Sequence, residues 1–205
     1  MTQEPQHPRT SGLRDPGPPG PRPAVFLDRD GTMIHDVGYL SRLEDVRWYP
    51  ATMDAMRLLR RAGYLVCVVT NQGGIGLGMF DGQFVQSVHA SMQTTVEASG
   101  GAVDGWYFCP HHPRAVTAEL RGPCDCRKPG RAMIDAACRD HAIDLARSWV
   151  IGDRGIDMQL AEAVGAKGIL VRTGYGAREE REQPLPEGTL VVADLMEAAA
   201  EVLTR

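Results

Sequence analysis

From Ala24 onward, short unbroken apolar runs alternate with stretches whose apolar side chains recur every three or four positions. AVFLD (24–28), YLVCVVT (64–70), VDGWYFC (103–109), SWVIGD (148–153), KGILVRT (167–173) and TLVVADL (189–195) read as strands. Their continuous apolar character is that of strands buried on both faces. TMDAMRLLRRAG (52–63) has helical spacing, with Met53, Met56, Leu58 and Leu59 toward one face and Gly63 as a stop. Residues 81–101, 130–143 and 155–165 read as further helices, and a last one runs to about Leu203. This β-α-β-α rhythm predicts an α/β fold: a doubly wound, Rossmann-like parallel sheet with helices on both faces. In such sheets ligands bind beyond the carboxyl ends of the strands.

Residues 1–23 differ from the rest. They hold seven of the fourteen prolines and almost no large apolar side chain. Such a segment cannot bury enough surface to offset its ordering entropy, so it reads as a flexible tail before a single domain at 24–205. The net charge of −4 and pI near 5.9 argue against a general nucleic-acid binder but leave room for a local basic pocket. No apolar run approaches the ~20 residues of a membrane helix, and the first residues lack a secretory apolar core. A cytoplasmic protein is expected. Nothing in the chain calls for an obligate oligomer, so a monomer is expected too.

Polar residues cluster where the predicted strands end. The first strand runs into Asp28-Arg29-Asp30-Gly31-Thr32, the second into Thr70-Asn71, and the strand from 148 into Gly152-Asp153. Two carboxylates two residues apart repel each other unless a cation sits between them. With Asp153 they form an oxygen donor set, Asp28, Asp30 and Asp153, that suits Mg²⁺, an ion that usually partners a phosphate.

Cysteines stand at 67, 109, 124, 126 and 138. The odd number and the clustering beside histidines speak against a disulfide framework. Cys109, His111, Cys124 and Cys126 make a Cys₃His donor set with the preference of a structural Zn²⁺ site, in a loop spanning 109–126. His112 competes with His111, and the Cys-x-His spacing favours His111. Cys126 precedes Lys128 by two residues, so a clamp there is expected to fix Arg127 and Lys128.

Taken in order, DRDGT (28–32), Thr70, Lys128 and GDRGID (152–157) resemble the motifs of the haloacid dehalogenase superfamily of phosphohydrolases, over essentially all of 24–205. The resemblance implies an aspartyl-phosphate mechanism. Asp28 would be the nucleophile and Asp30 the general acid and base. Thr70 would donate to the phosphoryl group and Lys128 neutralise its charge. Asp28, Asp153 and the backbone carbonyl of Asp30 would hold Mg²⁺. CPHHP…CDCRKPG narrows the resemblance to the heptose-bisphosphate and histidinol-phosphate phosphatases, with a small phosphorylated sugar as the expected substrate and histidinol phosphate as the alternative.

Those relatives lack a large cap domain, and 31–50 and 71–102 are too short to make one. Substrate selection is then expected from short loops: His35 and Tyr39, Asn71, Gln72 and Gly73, and Arg127. Leu77 stands where many of those relatives carry an arginine, and Arg154 where a lysine is common. The Gly-rich run at 73–78 fails a dinucleotide motif because position 79 is Met. His89 and His141 read as surface or satisfied helix residues, and Asp157 either as an orienter of Lys128 or of a Mg²⁺-bound water, or as a helix-N-terminal charge.

Overall fold

The computed structural model describes residues 20–205, so positions 1–19 of the expected tail lie outside the described residues. Six strands form one sheet: β1 (Ala24–Leu27), β2 (Leu65–Asn71), β3 (Gly105–Cys109), β4 (Trp149–Gly152), β5 (Lys167–Val171) and β6 (Leu190–Val192). All neighbours pair in parallel, in the order β3-β2-β1-β4-β5-β6. Pairing begins just before β1, where Arg22 bridges Ile143 and its N–H donates to the Ala142 carbonyl at 2.9 Å.

The helices are α1 (Thr52–Arg61), α2 (Gly82–Ala98), α3 (Ala118–Arg121), α4 (Ala132–Asp140), α5 (Gly155–Val164), α6 (Gly176–Glu182) and α7 (Leu195–Thr204). Successive side chains of β1 point to opposite faces, and both faces are dry. Val25 and Leu27 pack with Met56 and Leu59 of α1, Val88 and Met92 of α2, and Leu195 and Val202 of α7. Ala24 and Phe26 pack with Met133 and Ile134 of α4 and with Leu160 and Val164 of α5. All four residues of β1 are fully buried, which is why the run reads as continuous rather than alternating.

Helix ends follow their sequence signals where these exist. Asp81 caps α2 by accepting the Phe84 N–H at 2.8 Å, and Gly165, with φ +72°, closes α5. α6 is an element the sequence pattern did not predict. Its sequence, GAREERE, has no apolar stripe, so its charges and ion pairs carry it. Among the described residues no helix is long and apolar enough to cross a membrane.

The topology fixes the site. β1 leads toward β2 and β3 on one side, while β4 leads toward β5 and β6 on the other. The strand order therefore switches direction between β1 and β4, and the crevice for a ligand lies beyond their carboxyl ends.

Candidate active site

The Asp28 N–H donates to the Ile151 carbonyl at 2.9 Å, the last rung between β1 and β4. Beyond it the two chains part, and Asp28 and Asp153 are left facing one another across the switch point. Both are buried, at 7% and 0% exposure, with Asp157 at 0%. Carboxylate oxygens of Asp28, Asp153 and Asp157 lie within 4.8 Å of one another. The packing around Asp153 leaves no room for side chains. Gly31, with φ +91°, and Gly174, with φ +55°, both lie so close that a Cβ on either would collide with its carboxylate.

Lys128 enters this cluster from the loop ahead of α4. Its Nζ lies 2.6 Å from Asp28 Oδ1 and 2.7 Å from Asp157 Oδ1, and donates to the Val69 carbonyl at 2.9 Å. Asp157 also accepts the Arg154 N–H through Oδ2 at 3.1 Å. Both sequence readings of Asp157 thus hold together: one oxygen caps α5, the other holds Lys128.

Burial opposes the charge on Lys128, but Asp157 and Asp28 more than offset it, so the ammonium sits above the ordinary lysine range. Asp28 is pushed up to about 7 by burial; Lys128 pulls it down, and the charges of Asp157 and Asp30 raise it again. Asp153 is pushed up to about 8 by burial and then by Asp28 and Asp157. Its Oδ2 accepts the Tyr175 N–H at 2.8 Å, while its buried Oδ1 has no hydrogen-bond partner. A buried carboxylate oxygen without a partner, facing a second desolvated carboxylate, is a donor set that fits a hard divalent cation.

Thr70, the penultimate residue of β2, lies beside this cluster at 1% exposure. Gln72 Nε2 donates to Thr70 Oγ1 and to Asp30 Oδ2, both at 2.9 Å, so the threonine O–H remains available as a donor. Asp30 is further held by Arg29, whose Nε donates to Oδ2 at 3.0 Å and whose NH2 donates to Oδ1 at 3.1 Å.

The expected substrate loops divide. Tyr39, Asn71, Gln72, Gly73 and Arg127 line a cavity of about 300 Å³ together with Asp28, Asp30, Thr70, Lys128 and Asp153. His35 does not line it; its ring packs against Tyr49 with centroids 4.0 Å apart and planes tilted by 36°. Gln72 is spent within the protein, on Asp30, Thr70 and Arg29. Asn71 clamps the neighbouring loop, its Oδ1 accepting the Lys128 N–H at 3.0 Å and its Nδ2 facing the Lys128 carbonyl at 3.5 Å. Leu77 lies outside the cavity wall, whereas Arg154 and Tyr175 are part of it, with the guanidinium 4.4 Å above the tyrosine ring.

The sequence offers Arg29 as part of a local basic pocket with Arg127, Lys128 and Arg154, and the structure instead buries its guanidinium against Asp30. Arg29 stands inside the DRDGT motif, yet it is only 1% exposed.

A second cluster lies behind the Lys128 loop. Sγ atoms of Cys109, Cys124 and Cys126 and Nδ1 of His111 are mutually within 4.8 Å. Cys109 Sγ is 3.8 Å from Cys124 Sγ and 3.7 Å from His111 Nδ1, and Cys126 Sγ is 3.3 Å from His111 Nδ1. A tetrahedral zinc with bonds near 2.3 Å places its ligand atoms roughly 3.7 Å apart; the donor set fits that ion and these three distances come near it, while Cys126 Sγ and Cys109 Sγ lie closer, at 2.8 Å. His112 points elsewhere, its Nδ1 accepting the Arg114 N–H at 3.1 Å. The cluster also reaches the cavity: Arg127 donates from NH1 to the His111 carbonyl at 3.0 Å.

Comparison with known proteins places these features in context. The HAD-hydrolase-like family model matches residues 125–198. The chain is 40% identical over 190 residues to the D-glycero-D-manno-heptose-1,7-bisphosphate 7-phosphatase of Thermosynechococcus vestitus, covering 90% of this chain and 97% of that one. It is 41% identical over 179 residues to the D-glycero-beta-D-manno-heptose-1,7-bisphosphate 7-phosphatase of Escherichia coli K12, covering 86% and 93%. Its fold matches a crystal structure of the D,D-heptose 1,7-bisphosphate phosphatase from B. bronchiseptica complexed with magnesium and phosphate. There the TM-score is 0.81 at 32% identity, over 89% of this chain and 98% of that one.

Proposed function

The chain belongs to the haloacid dehalogenase-like hydrolases, and from that premise we propose that it removes the 7-phosphate of D-glycero-D-manno-heptose 1,7-bisphosphate through an aspartyl-phosphate intermediate. The observation that carries the chemistry is the meeting of Asp28, Lys128, Asp153 and Thr70 at the switch point between β1 and β4. The substrate rests on the relatives, at 40% identity over most of the chain.

Asp28 attacks phosphorus, and the bond from phosphorus to the sugar oxygen breaks. Asp30 gives its proton to that oxygen, then takes one from the water that cleaves the aspartyl phosphate. Two easier displacements thus replace one hard one. Thr70 Oγ1 and Lys128 Nζ stabilise the charge on the transferring group from fixed, desolvated positions. Asp28, Asp153 and the Asp30 backbone carbonyl would hold Mg²⁺, which when bound supplies neutralisation of the phosphoryl oxygens. Arg127 and Tyr39, at the mouth of the cavity, fit a role in receiving the sugar and its second phosphate.

Cys109, His111, Cys124 and Cys126 would hold a structural Zn²⁺, which when bound pins the loop that presents Arg127 and Lys128. A cytoplasmic setting suits five cysteines with no disulfide among them. A monomer is the working unit in this reading.

The test of this function is phosphate release from both anomers of heptose 1,7-bisphosphate, from histidinol phosphate and from fructose 1,6-bisphosphate. A kcat/KM at least about a hundredfold higher for one heptose anomer is expected, about 2.7 kcal/mol of differential transition-state binding. A preference for histidinol phosphate overturns the substrate assignment.

Two outcomes of metal removal follow. Burial and mutual repulsion raise Asp28 and Asp153 well above the ordinary carboxylate range in the metal-free protein, so Mg²⁺ binding is expected to release protons. Its affinity should weaken as the pH falls from 8 to 6. The same raised values mean that the folded, metal-free state binds more protons than the unfolded one across this range. Its stability therefore falls as pH rises toward 8, and Mg²⁺ reverses the trend. Melting curves in EDTA and in Mg²⁺ at several pH values measure both effects; pH-independent Mg²⁺ affinity contradicts them. For zinc, Cys126→Ser should abolish stoichiometric zinc in metal analysis and lower kcat on the order of tenfold or more by releasing Lys128. Zinc-free protein with full kcat rules out the clamp.

A further inference from the structure

We propose that His89 is a positioning residue for Asp30, acting through the buried guanidinium of Arg29. The inference rests on the phosphatase reading and concerns what holds the general acid in place.

Arg29 is almost wholly inside the protein, and each contact of its guanidinium bears on Asp30. Nε and NH2 grip the carboxylate, with NH2 also 2.9 Å from Oδ2. NH2 donates as well to Gln72 Oε1 at 3.0 Å, and Gln72 in turn ties Asp30 to Thr70. The remaining arm, NH1, lies 3.3 Å from His89 Nε2. A guanidinium only donates, so Nε2 accepts and the ring proton sits on Nδ1. A buried cation is tolerated only when its donors are met, and His89 is the only partner of NH1 among the described residues.

His89 is suited to this task because it is packed between aromatic rings and held in its neutral form. It is 5% exposed, stacked on Trp106 with centroids 4.6 Å apart and planes at 23°, and edge-on to Phe108 at 5.9 Å. Both aromatics belong to β3 and pair in register with Val68 and Thr70 of β2. Burial, and then the charge of Arg29, push the imidazole down to about 3, which keeps it a neutral acceptor. A rigid path thus runs from the sheet edge through His89 and Arg29 to the Asp30 carboxylate. Two hydrogen-bond donors, Arg29 Nε and Gln72 Nε2, converge on Asp30 Oδ2 and one, the other Arg29 arm, reaches Oδ1, which fixes the side-chain torsion and leaves Oδ1 the freer oxygen. That oxygen carries the proton to the departing sugar oxygen.

The test separates a positioning role from plain packing through the leaving group. A p-nitrophenolate leaves without needing a proton, whereas an alkoxide requires one. kcat/KM reports the step that forms the aspartyl phosphate, so it reads proton donation directly. We compare the unsubstituted enzyme, His89→Leu, His89→Gln and Arg29→Lys on p-nitrophenyl phosphate and on an alkyl phosphomonoester. His89→Leu keeps apolar bulk against Trp106 but removes the acceptor. It should lower kcat/KM on the alkyl ester by about tenfold or more and on the aryl ester by less than about threefold, a fraction of the range general acids supply. His89→Gln restores an acceptor and should bring the alkyl ester to within about threefold of the unsubstituted enzyme. Arg29→Lys keeps the charge without the fork and should follow the leucine variant. The aryl ester monitors folding within the same experiment. Equal losses on both esters, or a glutamine variant no better than leucine, overturn the inference and leave the phosphatase reading intact. No phosphate release by the unsubstituted enzyme overturns both.

Discussion

Asp28→Asn is expected to abolish turnover, by at least about four orders of magnitude, while leaving the metal-free protein no less stable than the parent. The two effects have one cause. Asp28 is desolvated, at 7% exposure, and shares its pocket with Asp153 and Asp157, so Lys128 offsets only part of the cost of its charge. An amide of the same shape removes that repulsion. It keeps an oxygen for Lys128 Nζ, which still has Asp157 and the Val69 carbonyl. The amide is also no nucleophile toward phosphorus and a poor ligand for Mg²⁺. Melting in EDTA and phosphate release in Mg²⁺, measured on the same preparation, check both halves. Residual turnover above about one part in a thousand would show that Asp28 is not the attacking group.

Lys128→Met is expected to harm both activity and stability. The ammonium is fully buried between two carboxylates and a carbonyl. Replacing it with an apolar chain of similar length strands Asp157, which is 0% exposed. Breaking a buried pair in this way costs about 3–5 kcal/mol, and losing a fixed charge at the transferring phosphoryl group costs about 10²–10³ in kcat. Adding Asp157→Asn in the same chain separates the two losses. It should recover much of the stability and none of the activity, read by denaturant midpoint and by kcat. If the double variant stays as unstable as the single one, the loss comes from the loop and not from the stranded charge.

The parallel sheet and the identity of the crevice were legible in the sequence because buried parallel strands leave unbroken apolar runs with polar ends, whereas the order of the strands in the sheet was not. Asp28, Thr70 and Asp153 could be placed together from those ends alone. The Cys109, His111, Cys124 and Cys126 set was legible from donor chemistry and spacing, and the structure gathers those atoms. The parts that were not legible depend on where a side chain turns. Asn71 and Gln72 lie on the cavity wall as expected, yet their hydrogen bonds go to Lys128, Asp30 and Thr70. His35 falls outside because its ring finds Tyr49. His89 reads as an ordinary helix residue until β3 is seen to lay Trp106 across it. α6 escaped because a helix held by ion pairs has no apolar period.

The most direct test of the account is to trap the covalent intermediate. Asp30→Asn slows the hydrolysis of the aspartyl phosphate, and p-nitrophenyl phosphate allows its formation without a general acid. Acid quenching during turnover in Mg²⁺, followed by peptide mass analysis, should find one phosphoryl group on the peptide carrying Asp28, and none in the same variant bearing Asp28→Asn as well. Release of inorganic phosphate in step with p-nitrophenol, with no phosphoryl group on Asp28 at any time point, would contradict the covalent mechanism at its centre.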